Sequence, residues 1–239
     1  MNLPNHQEIK IFTSNKNICG LKILHLSDLH INKNTSSTFI EDLVSICNSL
    51  EYDIAVITGD ILDCKVSKIE DKLLILNQLR NIFCVSGNHD LVYGLENMKV
   101  ILSNFTFMDN NCIEFTYNKT QITLCGLPDR FSRFFGHKRD EDFIIKQLSS
   151  SDGTILLAHQ PKDYKFALKS NCSLFLCGHT HGGQIFPFHY IVRLFQPFLS
   201  GLFYKDKTAI YVNKGLGTWG IHKRYKADSE ITILNIIHK

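Results

Sequence analysis

Seven residues in five short motifs have the types and spacing to hold metal ions. Asp28 and His30 belong to SDLH (27–30), Asp60 to TGD (58–60), Asn88 to GNHD (87–90), His159 to AHQP (158–161), and His179 and His181 to GHTH (178–181). In an extended segment alternate side chains point the same way. That geometry puts Asp28 and His30 on one face with Leu29 turned away, and His179 and His181 on one face across Thr180. Each pair is half of a metal site. Asp60 closes an apolar run, where a carboxylate has no hydrophobic reason to be, and its two oxygens can bridge two cations. Asn88 offers a neutral amide oxygen and is followed by His89 and Asp90. Donors that mix imidazole with carboxylate favour manganese, iron, zinc, cobalt or nickel over magnesium and calcium. Manganese is the ion expected here. Two such ions sharing a carboxylate sit roughly 3.5–4 Å apart, clamp phosphate oxygens and lower the pKa of a water between them.

Any one of these motifs alone is weak. A lone histidine at a strand end is more often a surface or core residue, and Asp or Asn beside Gly often only closes a turn. Their weight lies in number and placement, because five apolar strands each stop at a metal donor. In open α/β sheets the carboxyl ends of the strands face the ligand crevice.

The elements that must carry these donors follow from periodicity. Apolar runs predict strands over 21–28 and 52–60 and a strand leading into a loop over 81–90, and helical patterns fill 38–50, 67–79 and 93–102. This βαβαβ order implies a parallel or mixed sheet covered by helices. Two alternating segments around Tyr117–Thr120 predict a hairpin. Further strands follow in 153–161, 173–181, 209–217 and 230–237. The expected fold is α/β, with two packed sheets between helices in one domain spanning 1–239.

Composition fits a globular chain of 239 residues, 44% hydrophobic and 21% charged, with a formal charge of +3. Eight cysteines include no C-x-x-C pair, and the start MNLPNHQEIKIF lacks the pattern of a signal peptide. Free thiols in a cytoplasmic protein are therefore expected. Cys172, Cys177, His179 and His181 could be taken for a zinc knuckle, but their spacing fits no standard finger. With no long basic stripe and a single Trp, nucleic acid is not an expected partner.

The ordered series D-x-H, G-D, G-N-H-D, a lone His and G-H-x-H, from Ser27 to Gln184, resembles the calcineurin-like metallophosphoesterase superfamily. The resemblance implies a four-layer two-sheet α/β sandwich and a pair of divalent metal ions. Asp28, His30 and His181 would hold one ion and Asn88, His159 and His179 the other, with Asp60 between them. It also implies that His89 meets the substrate phosphate or protonates the leaving oxygen, with Asp90 orienting it. The implied chemistry is in-line attack of metal-activated hydroxide on phosphorus. GHTHGGQ followed by an aromatic apolar stretch, then NKGLGTWG beside a basic cluster, is similar to bacterial phosphodiesterases of the membrane surface. That branch includes enzymes cleaving the pyrophosphate of UDP-diacylglucosamine. It implies a phosphodiester or pyrophosphate substrate, an acylated one in that branch, and peripheral contact with the inner face of a membrane. A phosphomonoesterase of the same superfamily is the alternative. A non-catalytic binding module would show replaced ligands, and none is replaced.

Two segments frame the expected site. In IFPFHYIVRLFQPFLSGLF (185–203), Pro187, Arg193 and Pro197 argue against a membrane-spanning helix, and HYIVRLFQ reads as one amphipathic helical stretch. It is either a core helix or an apolar wall for an acyl chain or bilayer, with Arg193 and Phe195 as candidate substrate contacts. RFSRFFGHKR (130–139) is either a surface loop or a cap in which Arg130 and Arg133 grip a second phosphate. Lys214, His222, Lys223, Arg224 and Lys226 add positive charge late in the chain.

Overall fold

The computed structural model describes residues 3–4, 6–221 and 223–239. The first five strands are β1 (His6–Thr13), β2 (Lys22–Leu26), β3 (Ile54–Thr58), β4 (Ile82–Val85) and β5 (Thr106–Phe107). They are followed by β6 (Asn111–Tyr117), β7 (Thr120–Gly126), β8 (Gly153–Leu157), β9 (Leu174–Cys177), β10 (Gly201–Lys205) and β11 (Thr208–Val212). The last strand, β12 (Ile231–His238), returns to the first sheet. The two six-stranded sheets have the orders β1-β12-β2-β3-β4-β5 and β10-β11-β9-β8-β7-β6. Strands β2 to β5 run parallel, as do β7, β8, β9 and β11, while β6 and β10 are antiparallel edges.

The central strands β3, β8, β9 and β11 are buried along their whole length because both faces of each sheet are covered there. Along β2, Ile23 points into the layer between the sheets, where it joins Val56, Val85, Ile155, Leu157 and Leu176. Leu24 and Leu26 point the other way, toward α1 (Ser37–Ser49) and α2 (Glu70–Leu76), and pack with Ile40, Leu43 and Leu73. The short helices α3 (Asn88–Tyr93) and α4 (Leu95–Ile101) follow β4. On the far side, α5 (Glu141–Ser149) and α6 (Tyr164–Lys169) bring Ile144, Leu148 and Phe166 onto Leu156, Phe175 and Ile210 of the second sheet. The result is the expected four-layer α/β sandwich. One further helix, α7 (His189–Phe195), buries none of its residues.

Several expected elements are reshaped. The helix over 67–79 divides into a 3-10 turn, Val66–Lys68, and α2. The strand expected within 81–90 stops at Val85, and Asn88, expected in a loop, already begins α3. Gly94, at φ 124°, breaks the following helix between α3 and α4. The expectation of free thiols fails for Cys112 and Cys125, which are disulfide-bonded. They stand directly opposite in the β6–β7 hairpin with Cα atoms 4.1 Å apart, close enough for their sulfurs to meet.

Candidate metal centre

The donors stand where parallel strands end. Asp28 follows β2, Asp60 follows β3, Asn88 follows β4, His159 follows β8 and His179 and His181 follow β9. The extended geometry expected for the D-x-H and H-x-H pairs is not what aligns them. Asp28, His30, Asp60, His179 and His181 all adopt left-handed backbone, with φ of 50°, 46°, 56°, 73° and 52°. Left-handed non-glycine residues are uncommon and cluster at functional sites, where the surrounding structure over-determines them. Here each turn lifts one side chain out of the strand direction and into the crevice between the sheets.

Two glycines make room for this crowding. A Cβ on Gly87 would overlap the Asp60 carboxylate, and one on Gly178 would overlap Ser27 and the Asp28 carboxylate. The glycines preceding Asn88 and His179 are thus required by close approach of neighbouring donors.

Two triads form among the expected donors, Asp28 with His30 and His181 and Asp60 with His159 and His179, and a third group, His30 with Asp63 and His89, shares His30 with the first. In the first, Asp28 Oδ1 lies 3.5 Å from His181 Nε2 and 3.9 Å from His30 Nε2, and the two imidazole nitrogens are 3.1 Å apart. In the second, His159 Nε2 is 3.0 Å from His179 Nδ1. Asp60 Oδ2 joins the two, 3.4 Å from His159 Nε2 and 3.5 Å from His30 Nε2. Asn88 Oδ1 and Asp28 Oδ1 are buried, and neither has a hydrogen-bond partner among the described residues. A buried acceptor without a donor is costly. Asp28 Oδ1, beside imidazole nitrogens that face one another, fits a cation better than a neutral network. Six of the seven donors expected from sequence thus converge in the two triads, Asn88 lines the same cavity, and their chemistry fits divalent cations.

The surroundings set protonation and orientation. His159 Nδ1 is 2.7 Å from the Thr58 carbonyl, which fixes Nδ1–H and leaves Nε2 as a donor for metal. Asp28 Oδ2 accepts from Ser27 Oγ at 2.5 Å and from the His179 backbone N–H at 2.9 Å. Burial works against charge on Asp28 and Asp60, but the nearby histidines outweigh it and hold both below the usual carboxylate range. Burial pushes His181 down to about 3 and His179 down to about 4, so both are neutral imidazoles, as metal ligands must be. Burial also disfavours charge on His159, yet Asp60 lifts it well above its ordinary value, so a cation entering there displaces a proton.

His89 and Asp90 separate in role. Both Asp90 oxygens are taken by backbone donors, from Gly87 and Asp60 on Oδ2 and from Leu62 on Oδ1, each at 2.9 Å. Burial and the neighbouring Asp60 push its carboxyl up to about 7. Asp90 thus braces the loops that carry Asp60 and Asn88, and the expectation that it orients His89 is corrected. The partner of His89 is Asp63, whose Oδ1 lies 3.1 Å from Nδ1.

The sequence model of calcineurin-like phosphoesterases matches residues 21–183, the span holding all seven donors. The chain belongs to the calcineurin-like phosphoesterase family. It is 39% identical over 231 residues to an uncharacterized metallophosphoesterase of Helicobacter pylori, covering 92% of this chain and 60% of that one. It is 32% identical over 247 residues to a transmembrane protein with metallophosphoesterase domain from Danio rerio, covering 97% of this chain and 56% of that one. The chain thus spans 60% or less of the length of these curated relatives. Its fold matches a putative 5′-nucleotidase from Staphylococcus aureus with a TM-score of 0.56 at 12% identity, over 91% of this chain and 54% of the other. Among the described residues of this phosphoesterase no helix is long and apolar enough to cross a membrane.

The triads form one end of a cavity of about 600 Å³. His30, Asp60, Asn88, His89, His179 and His181 line that end. Phe188, Ile191, Val192 and Phe195 of the α7 segment line the opposite wall, with Trp219 and Ile221. Segment 185–203 is therefore not a core helix. Phe188 is 52% exposed, Phe195 66% and Leu194 81%. Phe198, in contrast, is buried against Tyr164 and Phe203.

The cationic candidates lie elsewhere. Arg130 is ion-paired with Asp163 at 2.7 Å, Arg133 stands 4.0 Å from Glu141, and neither lines the metal-facing cavity. Arg193 faces a second cavity. His222 lies outside the described residues. Cys172 and Cys177 hydrogen-bond backbone carbonyls and belong to neither triad, so they form no knuckle.

Sequence reasoning missed two residues. Asp63, three positions after Asp60 in GDILD, gave no signal because its partner His89 belongs to another strand end. Arg224 was seen only as surface charge. Its guanidinium, partly buried, donates to the carbonyls of Gly217, Lys214 and Gly215 and stands 3.2 Å from His181 Nδ1. It ties the chain before β12 to the His181 turn.

Proposed function

We propose that this phosphoesterase hydrolyses a phosphodiester or pyrophosphate bond in a substrate bearing an acyl or other apolar group, of the lipid-linked nucleotide-sugar kind. The observation that carries this reading is the cavity in which two donor triads face the apolar wall of α7. A phosphate at the triads leaves its substituent against Phe188, Ile191 and Phe195. Asp28, His30 and His181 would hold one cation, and Asn88, His159 and His179 the other, with Asp60 spanning both. The mixed imidazole and carboxylate set suits manganese, iron, zinc, cobalt or nickel, and manganese is the ion proposed. When bound, the pair of cations supplies positive charge that neutralises phosphate oxygens and lowers the pKa of water.

The chain's own groups do the rest. His89, on the cavity wall, donates a proton to the departing oxygen, and Asp63 holds its ring by Nδ1 so that Nε2 is the nitrogen that delivers it. The α7 wall excludes water from one side of the phosphate and supplies affinity for the apolar group, at about 0.8 kcal/mol per buried methylene. Its exposed rim, including Leu194 and Phe195, favours peripheral contact with a membrane that holds such a substrate.

The test is a substrate series on metal-loaded protein: a phosphomonoester, a soluble diester, a nucleotide diphosphate sugar and its acylated form. The expected order of kcat/KM places the acylated diphosphate first, with the monoester last. Fastest turnover of the monoester would reject the diester reading, and equal turnover of acylated and unacylated forms would reject the acyl contact.

A further inference from the structure

α7 separates two cavities of opposite character. Phe188, Ile191, Val192 and Phe195 recur at helical spacing and face the apolar one. His189 and Arg193, four residues apart, face a second cavity of about 340 Å³. That volume lies in the roughly 300–1,000 Å³ range of small-ligand sites. Its other walls come from Gly182 and Phe186 before α7, from Leu199 and Ser200 after it, and from residues between β11 and β12.

The second cavity gathers cations. Arg193, Lys214 and Lys226 line it against one carboxylate, Asp228. Lys214 already has a partner, Glu230, at 3.4 Å. Among the described residues no carboxylate is ion-paired with Arg193 or Lys226. The segments 184–204 and 207–227, which supply these three cations, contain no Asp or Glu at all. Lys226 is also held in place: its Nζ sits 4.8 Å over the Phe186 ring, which is stacked on His189 at 5.2 Å. Its backbone is left-handed, with φ of 58°, a strained state for a lysine. Like charges fixed around one concave space repel unless an anion shares them.

We propose that this cavity is an anion site that takes a phosphate group distinct from the phosphate at the metal triads. Arg193 offers a planar fork for two phosphate oxygens, and Lys214 and Lys226 offer point charges. The Ser200 hydroxyl lies on the same wall. None of these residues is a metal donor, so the site stands whether or not the hydrolytic reading holds. The phosphate belongs either to a lipid headgroup, since the apolar rim of α7 adjoins the cavity, or to a soluble phosphate compound.

The test uses the full chain loaded with zinc, a diamagnetic ion, and follows backbone amide shifts by NMR as inorganic phosphate is added. The amides of Ser200, Lys226 and Ala227 should shift and saturate. In Arg193→Gln/Lys226→Gln they should need at least about tenfold more phosphate, the effect of removing two charge-assisted contacts. Both side chains are exposed, and the two replacements remove nothing from the core. A second arm sediments the protein with phosphatidylcholine vesicles, with and without phosphatidylglycerol. Retention that requires phosphatidylglycerol and is lost in the variant assigns the phosphate to a headgroup. Phosphate binding without vesicle retention assigns it to a soluble compound. Shifts confined to the loops of the metal triads, with no phosphatidylglycerol-dependent retention, overturn the proposal, as does equal behaviour of variant and wild type in both arms.

Discussion

Asp63 Oδ1 lies 3.1 Å from His89 Nδ1, and this contact couples a cavity-lining imidazole to a carboxylate that is not among the seven donors. Burial disfavours charge on His89, but the Asp63 hydrogen bond and the charges of Asp60, Asp63 and Asp90 outweigh it and raise its pKa. The shift favours protonated His89, the form that donates a proton. Asp63→Asn should lower that pKa. Activity that needs protonated His89 falls as pH rises through the pKa, so the alkaline limb of the kcat profile should move to lower pH. An unmoved limb with unchanged kcat would show that the contact is not used.

His89→Ala should retain metal but lose turnover by about 10²–10⁴-fold, the usual worth of general acid–base help. The loss should shrink for nitrophenol leaving groups, which need no proton. Parallel assays on a nitrophenyl ester and an alkyl ester decide this. An equal loss on both would assign His89 to stabilising charge on the phosphate rather than to proton transfer.

Gly178→Ala should be poorly tolerated although it adds one methyl group. The new Cβ would occupy the space of Ser27 and the Asp28 carboxylate. Over-packing of this kind typically costs about 1–3 kcal/mol. A lowered melting temperature together with weakened metal binding is the expected outcome, measured by thermal unfolding and elemental analysis. Gly136, at φ 75° with nothing within 4 Å of its Cβ position, is the control. Gly136→Ala should leave metal content unchanged.

The rings of segment 185–203 should divide into two groups. Phe188 and Phe195 are exposed on the cavity wall, so replacing either by serine should preserve folding and raise KM for an acylated substrate. Each ring fully buried on binding contributes roughly 1.5–3 kcal/mol. Phe198 is packed against Tyr164 and Phe203, so Phe198→Ser should instead lower the melting temperature and affect all substrates alike. Steady-state kinetics beside thermal unfolding separates the two patterns.

The architecture and the donor set were legible because both rest on local patterns. Apolar runs such as ILHLSD and VITGD announce a doubly covered strand and the polar residue at its carboxyl end. What was hidden depends on distance in the chain. The left-handed turns at Asp28 and His30 leave no composition signal, and the one at His179 leaves only the neighbouring Gly178. The Asp63–His89 contact and the hold of Arg224 on the His181 turn join residues 26 and 43 positions apart. Periodicity placed α7 nearly to the residue, but whether it was core or surface depends on what lies opposite, and none of its residues is buried. Edge strands β1 and β10 escaped notice because only part of each is covered, which weakens the apolar run.

The central claim is that Asp60 joins two metal sites, and the metal content of Asp60→Ala beside its activity tests it most directly. Wild-type protein freed of metal should be inactive and recover with manganese, and it should bind two ions per chain by elemental analysis. Asp60→Ala should lose more metal and more turnover than a change at any one other donor, such as His181→Ala, because Asp60 Oδ2 faces both triads. Two ions per chain with normal turnover in Asp60→Ala, or full activity in verified metal-free protein, would contradict it.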